Sequence, residues 1–205
     1  MKAIKFFVLS ALVVSLASCG QGSKDNGGAA PDVAPADTLL ISVDDLLANP
    51  DSLVGQTITV EGVCSHLCKH GGRKAFLVGA GENATPFRCE ASEAMGGAFP
   101  QDVINHNLRV TGTLVEDRID EEAVKSMEEQ NAAAEKAAAK EGKADAVAES
   151  CSTEKKAQGQ GEVNSFADRM ADYRARIAER QAKEGKAYLS FYHLDSQCNK
   201  VADPE

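Results

Sequence analysis

Gln56-Thr-Ile-Thr-Val-Glu-Gly-Val-Cys64 alternates in a way that sets Ile58, Val60, Gly62 and Cys64 on one face of an extended chain. A period of two is the mark of a half-buried strand. Asn107-Leu-Arg-Val-Thr-Gly-Thr-Leu-Val115 repeats the pattern, with Arg-Val-Thr-Gly-Thr answering Thr-Val-Glu-Gly-Val. A glycine inside a strand marks a sharp bend or a close backbone approach, and bent strands are what a small closed barrel needs. Arg73 to Gly79, with Ala75-Phe76-Leu77-Val78, reads as the hairpin partner of the first strand, and Thr85 to Cys89 as a short third one. Ala91 to Phe99 reads as a small helix or ordered loop. Ahead of the strands, Ile41 to Pro50 begins like a short helix, with Ser42 as N-cap, Asp45 at the capping-box position and Pro50 ending it.

Beyond the fourth strand, Asp120 to Ala148 is rich in Ala, Glu and Lys, all good helix formers. Val124, Met127, Ala134 and Ala138 fall on one face, interrupted by Asn131. Past Gln158 to Gly161 a stronger seam follows: Val163, Phe166, Met170, Tyr173 and Ile177, with Gly185 as the stop. Together they predict an antiparallel helical hairpin, with Asp145 to Gly161 either part of it or disordered. Ala187 to Leu194 has strand composition and is expected to return as the fifth, closing strand, bringing His193 and Cys198 back to the barrel. The layout resembles the OB-fold group, particularly the small anticodon-binding-like modules of bacterial exported proteins. The expected class is therefore mainly β with α: a small five-stranded OB-like barrel carrying a helical hairpin.

The N-terminus carries Lys2 and Lys5, then an eleven-residue apolar run from Phe6 to Leu16. That is too short for a bilayer of about 30 Å and suits a secretory leader. It ends in Leu16-Ala17-Ser18-Cys19, which resembles the lipobox of bacterial lipoproteins. The resemblance implies removal of residues 1–18, acylation of Cys19 (palmitate being one such chain), and a bacterial cell envelope location, periplasmic or surface-facing. Several acyl chains make a firm anchor, at about 0.8 kcal/mol per buried methylene. The Gly-, Ala- and Pro-rich stretch that follows reads as a flexible tether. The expected organisation is leader 1–18, tether 19–39, barrel 40–118, hairpin 119–185, and closing strand and tail 186–205.

The formal charge is -9, and loss of Lys2 and Lys5 takes it to -11. Such a chain does not attract nucleic acid or anionic lipid through its overall field, so nucleic acid is a disfavoured partner. No Gly-x-Ser-x-Gly, Walker loop or dinucleotide fingerprint occurs, and the expectation is a non-enzymatic binding protein.

The most concentrated chemistry is Cys64-Ser-His66-Leu-Cys68-Lys-His70. Thiolate and imidazole suit zinc, and Cys64, Cys68 and His70 with Cys89 form a workable set, His66 lying within the same stretch. Residues two apart on a strand lie about 6.6 Å apart, too far for one ion, so the strand would have to end near Cys64 and curl. Disulfides are the alternative, Cys64 with Cys89 or Cys151 with Cys198. Removing Cys19 leaves five cysteines, an odd number that leaves one outside any full pairing. The same region holds Lys69, Arg73 and Lys74 with no acid from Gly62 to Gly81. These cations and the amides of Gly71-Gly72 form a candidate site for a small anion or an oligonucleotide. Phe76 and Phe87 are the only aromatics nearby for base stacking. A disulfide-stapled structural envelope protein is the remaining reading.

Overall fold

A computed structural model describes residues 38–69, 71–81, 84–140 and 151–202. The leader, Cys19, most of the tether, His70 and residues 141–150 lie outside the described residues.

Five strands close a barrel. β2 (Thr57–Leu67) pairs antiparallel with β3 (Lys74–Val78), which pairs antiparallel with β4 (Phe87–Ala91). β6 (Leu189–Val201) lies parallel to β4 and antiparallel to β5 (Asn107–Ile119). β5 returns antiparallel to β2, from Thr57 opposite Thr113 to Val63 opposite Asn107. The final strand therefore enters between the third and fourth barrel strands. A sixth strand, β1 (Leu39–Ser42), runs parallel to β2 outside the closed ring. The alternating residues do what their spacing demands: Ile58, Val60, Leu77, Phe87, Leu108, Val110, Leu114 and Leu194 fill the interior. Each contributes about 1.5–3 kcal/mol by leaving water.

The two strand glycines mark close approaches. A Cβ at Gly62 would come 2.8 Å from Val43 Cγ2 and 2.9 Å from the Val78 carbonyl oxygen. Gly112 lies at a bulge where the β5–β6 register shifts, against the backbone of Asp195 and Ser196. Ahead of the barrel, α1 (Val43–Ala48) starts at Ser42, whose Oγ accepts from the Asp45 amide at 3.1 Å and donates to its carboxylate at 2.6 Å. Ile41 and Ser42, expected at the start of this helix, and Leu39 and Leu40 before them are instead β1, because they find the edge of β2 to pair with.

The insertion between β5 and β6 is helical: α2 (Glu121–Lys140), α3 (Ser152–Ala157) and α4 (Phe166–Glu184). α2 packs on α4 through Val124 and Met127 against Met170, Tyr173 and Ile177, extending to Leu189 on β6. Arg174 ties the pair, reaching the two carboxylate oxygens of Glu128 at 2.7 and 2.9 Å. The expected α2 seam stops there, since Ala134 is exposed and Ala138 half-buried. Val163 precedes α4, because Ser165 caps the helix by accepting from the Asp168 amide at 3.0 Å. Gly185 ends α4 in the left-handed conformation at φ 72°. Among the described residues, no helix is long and apolar enough to cross a membrane.

Candidate functional site

The site begins at an irregularity in β2. Cys64 faces Leu77 across the ladder, yet His66 faces Phe76, so one residue bulges between them. A bulge resets the inside-outside phase of a strand. Cys64 therefore keeps to the barrel interior, His66 moves to the outer surface, and Leu67 opposite Ala75 returns to the inside.

Directly opposed residues project from the same face of a sheet. The register runs His66 to Phe76, Phe76 to Arg88, and Arg88 to His193, giving one outer row across β2, β3, β4 and β6. Lys74 and Glu90 form the next row. The His66 and Phe76 ring centroids are 5.9 Å apart. Phe76 is 0% exposed although it points away from the barrel interior.

The segment that carries α3 meets the neighbours of Phe76 on this face. Glu154 accepts from Lys74 Nζ at 2.9 Å and from Arg88 Nη1 at 3.0 Å. Cys151 Sγ, just before the helix, lies 3.1 Å from His66 Nε2. Arg88 also pairs with Asp117 of β5, which contacts His193 Nδ1 at 2.9 Å, and with Glu90 at 3.2 Å. Lys74, Arg88, Glu90, Asp117, Glu154 and His193 thus form one network between sheet and insertion.

Burial alone would raise the Glu154 carboxyl, but Lys74 and Arg88 outweigh it and hold the group below its usual value of 4.5. Asp117 is lowered likewise, His193 and Arg88 overcoming its desolvation. A carboxylate depressed in the fold adds stability above its unfolded pKa, and that stability is lost as pH falls through the lowered folded value. The clasp on α3 is therefore in force at neutral pH and weakens in acid.

Beside this network a cleft of about 270 Å³ opens between barrel and insertion. Arg88, Glu154, Gln158, Arg176, Phe191 and Tyr192 line it. Arg176 lies over the Phe191 ring, its guanidinium carbon 5.7 Å from the centroid.

The residues singled out from the sequence separate into three places. Cys64 and Cys89 are fully buried inside the barrel, and desolvation pushes both thiols up, Cys89 strongly. His66 and Lys74 belong to the outer network. Cys68 is half-buried at the start of the loop to β3, its amide donating to the Lys74 carbonyl at 2.8 Å, while Lys69 and Arg73 are exposed. His70 and Cys19 lie outside the described residues. The bulge thus sets His66 on the opposite face of the sheet from Cys64 and Cys89. Among the described residues, no three His, Cys, Asp or Glu side chains converge as a metal site. The strand runs on to Leu67 rather than ending near Cys64. All five cysteines beyond Cys19 are thiols here, and Cys151 contacts His66.

No protein-family model matches the chain, and no curated protein is significantly similar to it. A crystal structure assigned as an aspartyl-tRNA synthetase from Leishmania major Friedlin is similar over 44% of this chain, at 18% identity and a TM-score of 0.27. The match covers 18% of that protein's length. The architecture rests on the strand order itself, with closure of β2 on β5 and one parallel pair, β4–β6. The barrel is OB-like. In such barrels the second and third strands, with the loops joining strands one to two and four to five, form the ligand surface. Here those strands are β3 and β4, and the second of those connections is the helical insertion that carries α3.

Arg88, Asp117, Glu154 and Cys151 were not legible as site residues. Glu154 lies 66 residues from Arg88 in sequence, and neither segment has a motif that announces the other. Phe76 sits in the continuous apolar run Ala75 to Val78, which conceals that it faces outward while Ala75 and Leu77 beside it face the interior.

Proposed function

We propose that this protein is a lipid-anchored, non-enzymatic binding module of the bacterial cell envelope, whose ligand face is the outer surface of β3, β4 and β6 beneath α3. The observation that carries the reading is Phe76, an aromatic on the outer side of β3, flanked by Arg88 and Lys74 and fully buried on the face where Glu154 of the insertion binds both cations. A flat apolar ring beside two cations suits a small anion with a planar body, the ring for contact area and the cations for orientation. The adjoining cleft, with Arg176, Phe191 and Tyr192, extends the same chemistry. The charge of -9 disfavours a long polyanion such as nucleic acid. Catalysis is not part of this reading. The face supplies paired ions and a ring, and its half-exposed thiol, Cys151, comes with no defined substrate position.

Anchoring rests on Leu16-Ala17-Ser18-Cys19. Palmitate label is expected on the full chain and absent from Cys19→Ser. Label that persists in the variant, or that never appears, contradicts the anchor.

Binding is tested by thermal shift on the full chain against nucleotides, aryl phosphates, aryl carboxylates and short oligonucleotides. Ligand at a hundred times its Kd adds about 2.7 kcal/mol of stability, a rise of several degrees. The expected result is a rise with a planar small anion that Lys74→Met reduces. Stabilisation by oligonucleotides alone would favour the nucleic-acid reading, and no stabilisation by any compound would contradict a ligand face here.

A further inference from the structure

We infer that Glu154 occupies the anion position of the ligand face, and that a phosphate- or carboxylate-bearing ligand binds by displacing α3. This deepens the reading of the β3–β4–β6 face as the ligand surface and depends on it.

The geometry is that of a bound anion. One Glu154 oxygen is 2.9 Å from Lys74 Nζ and 3.0 Å from Arg88 Nη1, and the other is 3.2 Å from Lys74 Nζ. Two adjacent strands thus offer two cationic donors to a single carboxylate, the arrangement a ligand's phosphate or carboxylate would require. Charge makes the two exclusive. Lys74 and Arg88 already balance Glu90 and Asp117 on this face. An anion added with Glu154 in place would bring four acidic groups around two cations. A carboxylate replacing Glu154 leaves the local charge unchanged, and a phosphate monoester adds about one negative charge at most.

α3 is built to be displaced. It has six residues, too few to hold a helix without tertiary contacts. Its trailing end is fixed to α4. Gln158 Oε1 accepts from Tyr173 Oη at 2.6 Å and from Arg169 Nη2 at 3.0 Å. Gln160, 1% exposed, donates to Asp172 at 2.7 Å and to the Arg169 carbonyl at 3.1 Å. Its leading end is held to the barrel by Glu154 and by the Cys151–His66 contact. Gly159, at φ 71°, lies between those two anchored glutamines and belongs to the fixed end, so the part free to lift is the leading end ahead of Gln158. Lifting the leading end would uncover the Phe76 ring and the two cations together.

The test uses the full chain, with adenosine monophosphate and pyrophosphate as probes and adenosine as the uncharged control. Titration calorimetry is expected to show Glu154→Gln binding the charged probes about fivefold tighter or more than the unaltered chain, with Lys74→Met binding them more weakly. The probes are also expected to accelerate alkylation of Cys151 in the unaltered chain, because its cover over His66 opens. Equal affinity in the unaltered chain and Glu154→Gln, with binding still weakened by Lys74→Met, would overturn displacement while leaving the ligand face intact. Absence of binding in every variant, Glu154→Gln included, would overturn both. Tighter binding of adenosine as well would show that Glu154 shields the ring and does not stand in for an anion.

Discussion

Gly112→Ala is expected to destabilise the protein by about 3 kcal/mol or more, the upper range for overpacking a rigid site. An added Cβ would overlap the Asp195 carbonyl oxygen and come 2.8 Å from both the Asp195 carbonyl carbon and Ser196 Cα. All three are backbone atoms, and no rotamer change relieves them. β6 would have to move away from β5, yet that pairing runs from Leu108 opposite Val201 to Ile119 opposite Leu189 and closes the barrel. β6 also carries His193 to Asp117, so the outer network loosens with it. Gly96→Ala is the control: Gly96 has φ 72° and an added Cβ there would meet nothing within 4 Å, so only a backbone cost of about 1 kcal/mol is expected. Urea unfolding of both variants decides the matter. Similar small losses would contradict the close β5–β6 approach.

Arg88→Met is the second large effect. Arg88 is the hub of the network, joining Glu154, Asp117 and Glu90, and its side chain is 14% exposed. Removing one member of a buried ion pair costs more than the pair contributes, because the remaining charge keeps its desolvation penalty. Glu154 and Asp117 are 18% and 37% exposed, so solvent screens part of that penalty. A loss of about 2–3 kcal/mol is expected. Adding Glu154→Gln should recover about 1 kcal/mol, since the two side chains act as one unit. Strict additivity in the urea melts of the single and double variants would show that the contact contributes little.

The barrel was legible because its information is local. Ile58, Val60 and Gly62 alternate, and Gly62 and Gly112 stand where backbone or side chains press close. Ser42 with Asp45, and Gly185, mark helix ends through their own short-range hydrogen bonds. The outer site was hidden for reasons just as physical. The bulge before His66 shifts the phase of β2 by one residue, so residues that look equivalent in the stretch from Cys64 to Cys68 point to opposite sides. A bulge of this kind has no glycine or proline to announce it. β1 is four residues long and exists only because β2 offers an edge. Ser152 to Ala157 has neither the length nor the apolar seam of a recognisable helix, and its place is set by Glu154 meeting cations from strands far away in the chain. Pairings across such distances are decided by topology, which alternation and composition do not encode one side chain at a time.

The most direct test of the ligand face is an amide chemical-shift map of the full chain titrated with adenosine monophosphate. Shifts centred on Phe76, Arg88 and His193, together with Ser152 to Ala157, are the predicted result. Shifts confined to the Cys68–Arg73 loop or to the β1 edge, with the row from His66 to His193 unmoved, would contradict it.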